Sequence, residues 1–537
     1  MKSLARLLCV VLALFALPAS IIAATIAPET IRDLALGESD ARANAIGAIV
    51  ASGNPGALSL LQSLLAGDVK TAGDDRVFLI KSDEAVDLLT GKSIKPAPDN
   101  LDDVVVNNRM RRELGAAIAA LKLSSDDRGA RLVAAKELQN NADENALPAI
   151  SAALAKESDP EIKGLLTLTQ ASIQLSSDDR ATRLAAIRAL AQSDSASVKT
   201  LLLSLLERKS GEYVERDAEL RAEAERSLRA VEQRLSTGEM IARVFSGLSL
   251  GTILLLAALG LAITYGLMGV INMAHGELIM IGAYATYVVQ NLFRTYFPTA
   301  FDVYLLCAIP VAFAVSAVVG MLLERTVIRF LYGRPLETLL ATWGLSLVLI
   351  QAVRTIFGAQ NVQVENPSWM SGGVEIMTNI VLPWSRIAII VFAACVLVLM
   401  WLLLSRTRLG LFVRAVTQNR GMASSLGVRT PRVDMLAFGL GSGIAGLAGC
   451  ALSQIGNVGP DLGQSYIVDS FMVVVLGGVG QLAGTVYAAL GLGVVNKFLE
   501  AWQGAVLAKI AVLVFIIFFI QKRPQGLFAL RGRTVEA

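Results

Sequence analysis

The sequence predicts an all-α protein in which a soluble α-solenoid precedes a polytopic bundle of seven to nine transmembrane helices. Three observations predict this class: a change of composition near residue 243, an internal repeat before it and a series of apolar runs after it. Residues up to about Arg243 are rich in Asp, Glu, Arg and Lys, whereas residues after Phe245 are mainly Leu, Val, Ile, Gly and Ala, which is membrane composition. We expect a signal peptide over 1–24, a helical-repeat domain over 25–240, a transmembrane domain over 241–525 and a tail over 526–537.

The first residues have the pattern of a secretory signal peptide. Lys2 and Arg6 precede the apolar run Leu7–Leu17, and small residues follow it up to Ala23 and Ala24, near which we expect cleavage. A first transmembrane helix is the alternative, but the run is shorter than the ~20 residues needed to cross a bilayer. The signal peptide predicts that the soluble domain is exported to the periplasm.

A repeat organises the soluble part. Ser124–Leu138 reads SSDDRGARLVAAKEL and Ser176–Leu190 reads SSDDRATRLAAIRAL, an offset of 176 − 124 = 52 residues, and a weaker third copy begins at Gly37. Each copy opens with Ser or Asp at an expected N-cap, before an Ala/Leu helix and then a second helix. Because a single helix pair cannot bury its own apolar face, such copies stack into a solenoid. The layout resembles HEAT-type repeats.

A short interruption separates the first copy from the second. Arg76–Ile80 and Ala85–Leu89 flank a charged turn, which predicts a small β-hairpin inserted in the solenoid. The SSDDR turns lack the ligand spacing of an EF-hand, so helix capping is favoured over a metal site. After the leader this part of the sequence has no His and no Cys. We expect a binding or docking module that needs no metal and no cofactor.

Nine apolar runs follow, and the charges beside them predict how the chain crosses the bilayer. The runs are Leu248–Val270, Leu278–Val289, Val303–Leu323, Leu336–Phe357, Ile387–Leu404, Val433–Ile455, Tyr466–Leu476, Leu482–Val495 and Val506–Ile520. Arginines cluster in 325–334 and 406–432 and basic residues again in 522–533, so these segments are expected in the cytoplasm. An outside start and an inside end require an odd number of crossings. We expect nine if both runs around Gly477–Gly480 span, and seven if they form a re-entrant pair.

The first two runs are separated by polar residues at membrane depth. Gly269–Tyr284 reads GVINMAHGELIMIGAY and holds Asn272, Glu277 and the only histidine of the chain, His275. These three residues are here called the polar break. A titratable side chain inside the bilayer costs roughly 2.5–3.5 kcal/mol on insertion scales, so it usually faces a bundle interior or an aqueous pathway. Glycines beside such residues allow a helix to break where it lines a cavity, which indicates a transport site.

A basic segment between two later runs predicts contact with another protein. Thr407–Val428 reads TRLGLFVRAVTQNRGMASSLGV, has apolar residues at helical spacing and ends near Gly427, a residue type that commonly ends helices. A loop lying on anionic lipid is the alternative. The chain has no P-loop motif and no H-E-x-x-H, G-x-S-x-G or paired-carboxylate arrangement, so it is not predicted to be an enzyme. The net charge of +3 gives no reason to expect nucleic acid.

Three motifs in order resemble one family of transporters. INMAHGELIMIGAY, TRLGLFVRAVTQNRGMASSLGV and FMVVVLGGVGQLAGTV look like the permeases of the branched-chain amino acid and urea class of ABC importers. WGLSLVLIQAVRTIFGAQNV, NPSWMSGG and GNVGPDLGQSYIVDSF look more like the urea branch. The resemblance implies an inner-membrane permease with a second permease subunit, two ATPase subunits and a periplasmic binding protein. It also implies that Arg414–Gly427 is the ATPase coupling segment, with candidates Arg414, Ala415, Arg420, Ala423 and Gly427.

The resemblance implies urea as the cargo, a small neutral molecule with N–H donors and one carbonyl acceptor. The pathway candidates are Asn272, His275, Glu277, Thr264, Tyr284, Thr342 and Trp343. His275 is either a structural residue bonded to backbone, a pathway residue or a proton carrier, and Trp343 either packs or lines the slot. The alternatives for the function are a permease for branched-chain amino acids or short amides, a passive urea or amide channel, and a membrane-tethered scaffold.

Overall fold

A computed structural model of the chain describes residues 26–528 except 53, 55, 74, 75, 82, 83, 96, 97, 99, 100, 142–145, 210, 211, 378 and 379. The expected signal peptide, 1–24, lies outside the described residues, as do residues 529–537 of the expected tail. The chain divides into two compact units between Leu235 and Ser236.

The first unit combines helices with a small sheet. Its helices are α1 Pro28–Leu36, α2 Ser39–Ala51, α3 Ala57–Ala66, α4 Asn108–Lys122, α5 Arg128–Asn141, α6 Leu147–Lys156, α7 Pro160–Gln174, α8 Arg180–Leu190 and α9 Ala196–Leu206, and α10 Ala218–Met268 begins here and continues into the second unit. Its strands are β1 Val69–Thr71, β2 Val77–Lys81, β3 Glu84–Asp87, β4 Ser93–Ile94, β5 Asp102–Asp103, β6 Arg208–Lys209 and β7 Glu212–Tyr213.

The sheet corrects the all-α prediction for this unit. The predicted hairpin is confirmed, because β2 pairs with β3 in antiparallel register, with Ile80 opposite Ala85. The hairpin belongs to a five-stranded antiparallel sheet in the order β4-β3-β2-β1-β5. Three of these strands are only two or three residues long, too short for a period-2 pattern to be visible in the sequence. The unit is therefore mixed α and β.

The repeated SSDDR turns cap helices, as predicted. The carboxylate of Asp127 accepts from the backbone N–H groups of Gly129 and Ala130, and that of Asp179 accepts from Thr182 at 2.9 Å. The first copy differs, because the N-cap of α2 is Glu38 and its side chain makes no capping bond. Capping satisfies N–H groups that the first helical turn leaves unpaired.

Ion pairs extend the repeat beyond the SSDDR motif. Arg128 pairs with Asp159 at 2.7 Å and with Glu161 at 2.7 Å. One copy later, Arg180 pairs with Asp217 at 2.5 Å and also with Glu219. The guanidinium of Arg180 lowers the pKa of the Asp217 carboxyl to about 2, and backbone N–H donors contribute to the shift. Each arginine thus joins the start of one repeat helix to the start of a later helix.

The second unit is a helical bundle with one hairpin. Its helices after α10 are α11 His275–Tyr296, α12 Tyr304–Thr326, α13 Pro335–Phe357, α14 Trp384–Arg406, α15 Arg408–Gln418, α16 Arg420–Ser425, α17 Thr430–Ser453, α18 Leu462–Gly477, α19 Leu482–Gln503 and α20 Ala505–Lys522. Short 3₁₀ turns lie at Pro298–Val303, Ile328–Phe330 and Ser368–Met370, and the hairpin strands are β8 Gly373–Met377 and β9 Ile380–Pro383.

Seven helical segments of the described residues are long and apolar enough to cross a membrane. They are Ala218–Gly266, Pro298–Phe330, Leu336–Phe357, Trp384–Arg406, Thr430–Ser453, Leu482–Gln503 and Ala505–Lys522. The chain is therefore a multi-pass membrane protein. The count equals the lower predicted number, but the set differs, because the predicted re-entrant pair includes α19, which is one of the seven. Polar α11 and the 16-residue α18 are not among them, although both pack inside the same bundle.

Glycines bring three central helices into backbone contact. A Cβ on Gly282 of α11 would overlap Gly446 of α17, and a Cβ on Gly449 of α17 would overlap the carbonyl oxygen of Ile279. Gly441 of α17 lies in the same way against Gly260 of α10. Small residues at such interfaces allow close approach of helices inside a bilayer. Helix α17 is consequently packed against α10 and α11 without side chains between the backbones at these points.

Candidate functional site

The polar break is an interruption between two helices. Helix α10 ends at Met268, and Gly269 then adopts a φ of 64°, a left-handed conformation that favours glycine. The side-chain oxygen of Asn272 accepts from the backbone N–H of Ala274 at 3.0 Å, which turns the chain just before α11 begins at His275. The predicted break is confirmed, and it places the N-terminus of α11 inside the bundle.

His275 is fully buried and bonded to backbone. Its Nε2 lies 2.9 Å from the carbonyl oxygen of Ala257, and because a carbonyl only accepts, this nitrogen carries the proton. The ring lies against Gly260, where a Cβ would meet its Cε1 atom at 2.8 Å. This is the contact that a structural histidine makes, while Nδ1 has no partner in the part of the chain that the structure describes.

Helix α13 supplies two hydroxyl groups to the break. The Ser346 hydroxyl donates to Glu277 Oε1 at 2.7 Å, and the Thr342 hydroxyl accepts from the backbone N–H of Met273 at 3.1 Å. All of these side chains are buried. The sequence-based list contained Thr342 but missed Ser346, although a spacing of four residues puts the two hydroxyls on one face of α13. The spacing between Thr342 and Ser346 is the feature of the sequence from which Ser346 could have been predicted.

Of the other predicted pathway residues, Thr264 and Tyr284 are buried and Trp343 is exposed. Thr264 is buried, but its hydroxyl bonds back to its own helix at Leu261, 3.1 Å away. Tyr284 is also buried and lies further along α11, and the centroid of its ring is 4.7 Å from the centroid of the Phe357 ring. Trp343 is 54% exposed. The structure therefore brings Asn272, His275, Glu277 and Thr342 together and leaves Trp343 outside this group.

Several buried polar atoms near the break lack a hydrogen-bond partner among the described residues. They are Asn272 Nδ2, His275 Nδ1, Glu277 Oε2 and Tyr284 Oη. A buried donor or acceptor without a partner costs about 1–3 kcal/mol. The set includes a donor amide, an acceptor carboxylate oxygen and a hydroxyl that can do both. Such a set is suited to a polar solute that carries both N–H donors and an oxygen acceptor.

An apolar cavity elsewhere in the bundle does not coincide with the break. It is open to the surface, has a volume of about 390 Å³ and is lined mainly by α12, α14 and α17. None of the seven predicted pathway residues, all of which the structure describes, is among its lining residues. The polar atoms, not the cavity, mark the candidate transport site.

The basic segment forms two short helices, where one was predicted. Helices α15 and α16 meet at Asn419, whose side chain accepts from the N–H of Met422 at 2.8 Å and so starts the second helix. Gly427 has a φ of 87° just after the end of α16, as predicted for a helix-ending glycine. Ala423 is buried with Val413 and Val416, and Ala415 packs on the same cluster.

The outer surface of these helices is apolar and basic. Met422 is 60% exposed and Leu426 is 78% exposed, and Arg414 lies exposed on α15. The side chain of Arg420 is also 44% exposed, but it forms an ion pair with the buried Asp434 of α17. Of the five coupling candidates, Arg414 is thus on the surface and Gly427 ends α16. The other three, Ala415, Arg420 and Ala423, contact the apolar cluster or form the ion pair that joins these helices to α17.

A multi-pass bundle with a buried polar break and an exposed basic helix pair defines a membrane transport protein. Residues 243–521 match the family described as Branched-chain amino acid transport system / permease component. The match covers more than half of the chain, and the chain belongs to this family of transport permeases. It is not an enzyme. The resemblance found from the three motifs is confirmed at the level of the family.

Three relatives are similar to part of the chain. The high-affinity branched-chain amino acid transport system permease protein BraD of Pseudomonas aeruginosa is 28% identical over 291 residues, 53% of this chain and 94% of the relative. LivH of Escherichia coli K12, with the same description, is 29% identical over 294 residues, again 53% and 94%. Ribose import permease protein RbsC of Bacillus subtilis is 32% identical over 110 residues, 19% of this chain and 34% of the relative. No solved structure matches the chain.

Proposed function

We propose that this chain is a permease subunit of an ATP-driven importer for a small nitrogen-containing solute. The observation that carries the proposal is the polar break, in which buried donors and acceptors without described partners lie inside a bundle of this permease family. The residues proposed to line or shape the pathway are Asn272, His275, Glu277, Thr264, Tyr284, Thr342 and Trp343, with Ser346 added from its bond to Glu277. The work of transport comes from another subunit, because the sequence has no P-loop.

The coupling segment is the proposed contact with that ATPase. Met422 and Leu426 expose apolar side chains at α16, and Arg414 is exposed on α15, a combination that suits an apolar cleft with an acidic rim. A segment lying on anionic lipid is the alternative, and it would expose basic and apolar side chains as well. The family match favours the ATPase contact. The proposed assembly holds a second permease subunit, two ATPase subunits and a periplasmic binding protein.

The proposed orientation follows from charge. The arginine-rich loops that contain Arg329 and Arg420 are in contact at one end of the bundle, because Arg420 lies over the ring of Tyr332. We propose that the soluble unit lies in the periplasm of the bacterial cell, from the predicted signal peptide and from this cytoplasmic end, which requires that α11 crosses the bilayer between α10 and α12. In the periplasm, the soluble unit is proposed to be a helical-repeat docking module over 25–240, ahead of a permease domain over 241–525.

Branched-chain amino acids are one candidate cargo, and the names of the relatives favour them over urea. The break offers a group for each charge of an amino acid zwitterion. Glu277 Oε2 is an acceptor for an ammonium group, and the N-terminus of α11 carries N–H groups and a positive dipole end for a carboxylate.

Urea is the second candidate, favoured by the uncharged donors of the site. Among the contacts of the described residues, no hydrogen bond made by the polar break or by Thr342 involves a lysine or arginine that would pair with an α-carboxylate. Urea needs only acceptors for its N–H groups, such as Glu277 Oε2, and a donor for its carbonyl, such as Asn272 Nδ2. The motif stretches that resemble the urea branch point the same way.

Uptake of labelled solutes tests the cargo. Cells that lack this chain are compared with complemented cells for uptake of urea, leucine and a short amide. We expect restored uptake of one class and competition within that class only. Urea flux in vesicles that hold this chain without an ATPase would instead establish a passive channel, and restored uptake of none would contradict the proposal.

Two variants test the proposed sites. Asn272→Leu is expected to reduce uptake strongly and to leave receptor-stimulated ATP hydrolysis largely intact, because it removes a pathway amide and not the coupling contact.

Gly427→Arg forces a bulky residue into a φ of 87° and is expected to abolish uptake, because it distorts the coupling segment. Normal uptake by Gly427→Arg, with normal expression and assembly, would contradict the coupling role.

A further inference from the structure

Arg420 joins the coupling segment to the central helix of the bundle. Its Nη1 lies 3.4 Å from Asp434 Oδ1, and its Nη2 bonds to Asp434 Oδ2. Asp434 is in the first turns of α17, and its side chain is only 3% exposed. Because a buried carboxylate that loses its partner is strongly unfavourable, the pair fixes α16 to the start of α17.

The same guanidinium also contacts the loop after α12. Its Cζ lies 4.8 Å from the ring centroid of Tyr332, within the range of a cation–π contact. The hydroxyl of Tyr332 donates to Glu324 Oε1 of α12 at 3.1 Å. Arg420 is therefore held by α17 on one side and by a tyrosine anchored to α12 on the other. We call Arg420, Asp434 and Tyr332 the arginine clasp.

Helix α17 connects the clasp to the polar break. Seven residues after Asp434, about two helical turns, Gly441 lies directly against Gly260 of α10. Gly260 in turn touches the ring of His275. Two turns further, Gly449 lies against the backbone of Ile279 in α11. Since no side chain separates these backbones, a displacement of α17 acts directly on α10 and α11, the helices on both sides of the break.

We propose that the arginine clasp transmits the movement of the ATPase-bound coupling segment to α17 and so to the polar break. The inference rests on the proposed function and adds to it Asp434 and Tyr332, which no motif singled out. Both act as positioning residues, because neither touches the break. The proposal requires that clasp variants separate ATP hydrolysis from transport.

The test uses the complete importer, with all its subunits, reconstituted in lipid vesicles. ATP hydrolysis and the amount of cargo carried per ATP are measured for wild type, Asp434→Asn and Arg420→Lys. We expect both variants to hydrolyse ATP and to carry at least about fivefold less cargo per ATP, the lower end of typical coupling effects. Lysine keeps the charge of Arg420 but cannot make the bidentate contact with Asp434, so Arg420→Lys is the more conservative of the two variants.

The double variant Arg420→Gln/Asp434→Asn separates transmission from stability. It removes both charges together and leaves no unpaired buried charge, so assembly is expected to be close to normal. If the pair only stabilises the fold, cargo per ATP recovers in the double variant. If the Arg420–Asp434 pair transmits movement, cargo per ATP stays low in the double variant, because the two amides form a weaker contact than the two charges. Recovery would overturn the proposal.

Two further variants serve as controls. Arg334→Gln breaks an exposed ion pair with Glu337 at the same end of the bundle and is expected to leave cargo per ATP unchanged. Tyr332→Phe keeps the ring beneath Arg420 and loses the hydroxyl that bonds to Glu324, so its cargo per ATP should fall between that of wild type and that of Tyr332→Leu. Wild-type cargo per ATP in Asp434→Asn and in Tyr332→Leu would overturn the inference, whereas a wild-type complex without ATP-dependent transport would overturn the proposed function itself.

Discussion

The two units of this chain differ in where their polar side chains lie and in whether those side chains have partners. In the first unit, Arg128 and Arg180 are exposed and each contacts two carboxylates at the surface, while the buried clusters consist mainly of leucine, isoleucine and alanine. In the second unit, Asn272, His275 and Glu277 are buried and each retains an atom without a described partner. Paired surface charges at repeat positions indicate architecture, whereas unpaired buried groups in a membrane indicate a function.

The units also differ in how their helices pack. Helices α8 and α9 and the start of α10 meet through large side chains such as Ile187, Leu202 and Leu220. The central helices of the membrane unit meet through glycines instead. A bilayer provides no hydrophobic drive for helices to associate, so close backbone approach takes over that role. Function therefore rests on a packing that tolerates little added volume.

The largest expected effect tests this packing. Gly449→Ala places a Cβ onto the carbonyl oxygen of Ile279, and relieving such an overlap typically costs about 1–3 kcal/mol, sometimes more. The matched control is Gly344→Ala on α13, where no atom lies within 4 Å of the added Cβ. We expect Gly449→Ala to lower the thermal midpoint of the purified chain in detergent and Gly344→Ala to leave it unchanged or raise it. Equal midpoints would contradict the role of glycine packing.

The contrast also explains what the sequence could predict. The polar break was predictable because Asn272, His275 and Glu277 stand in an otherwise apolar stretch, and the SSDDR capping turns because they recur. Ser346 was not, because a serine in an apolar helix is unremarkable until its partner across the bundle is known. Asp434 was missed because it lies at the edge of its apolar run, beside a basic loop, where a charged side chain is ordinary. The short strands beside the predicted hairpin carry too few residues for a pattern to appear.

The second prediction concerns the hydroxyl that holds Glu277. Ser346→Ala leaves both carboxylate oxygens of Glu277 without a described partner, a change worth about 1–3 kcal/mol at a buried group. We expect the KM for cargo uptake to change, with normal expression. The control is Thr355→Val on the same helix, whose exposed hydroxyl bonds only to the carbonyl of Gln351. The same uptake kinetics in Ser346→Ala and Thr355→Val would argue against a role of Ser346 at the site.

A smaller effect is expected from the paired charges of the first unit. Arg128→Gln and Arg180→Gln each remove two surface ion pairs at equivalent positions of the repeat. Exposed ion pairs contribute little, so each variant should lower the thermal midpoint by a few degrees at most and leave uptake unchanged. Melting curves of the full chain measure this. Loss of uptake in either variant would show that the unit does more than hold its own repeat together.

The smallest effect is a pH dependence of that same contact. The pKa of Asp217 is lowered from 3.8 to about 2, first by the guanidinium of Arg180 and then by backbone N–H donors. A group with a lowered pKa in the folded state adds stability above its unfolded pKa and loses it as the pH falls through the folded pKa. The midpoint difference between wild type and Arg180→Gln should therefore be constant above about pH 5, shrink below 3.8 and approach zero only below pH 2. Circular dichroism melting of both full-length chains in an acid-stable detergent measures the difference. A difference that persists unchanged at about pH 1 would mean that Arg180 acts through packing of its side chain, because the Asp217 carboxyl is then protonated.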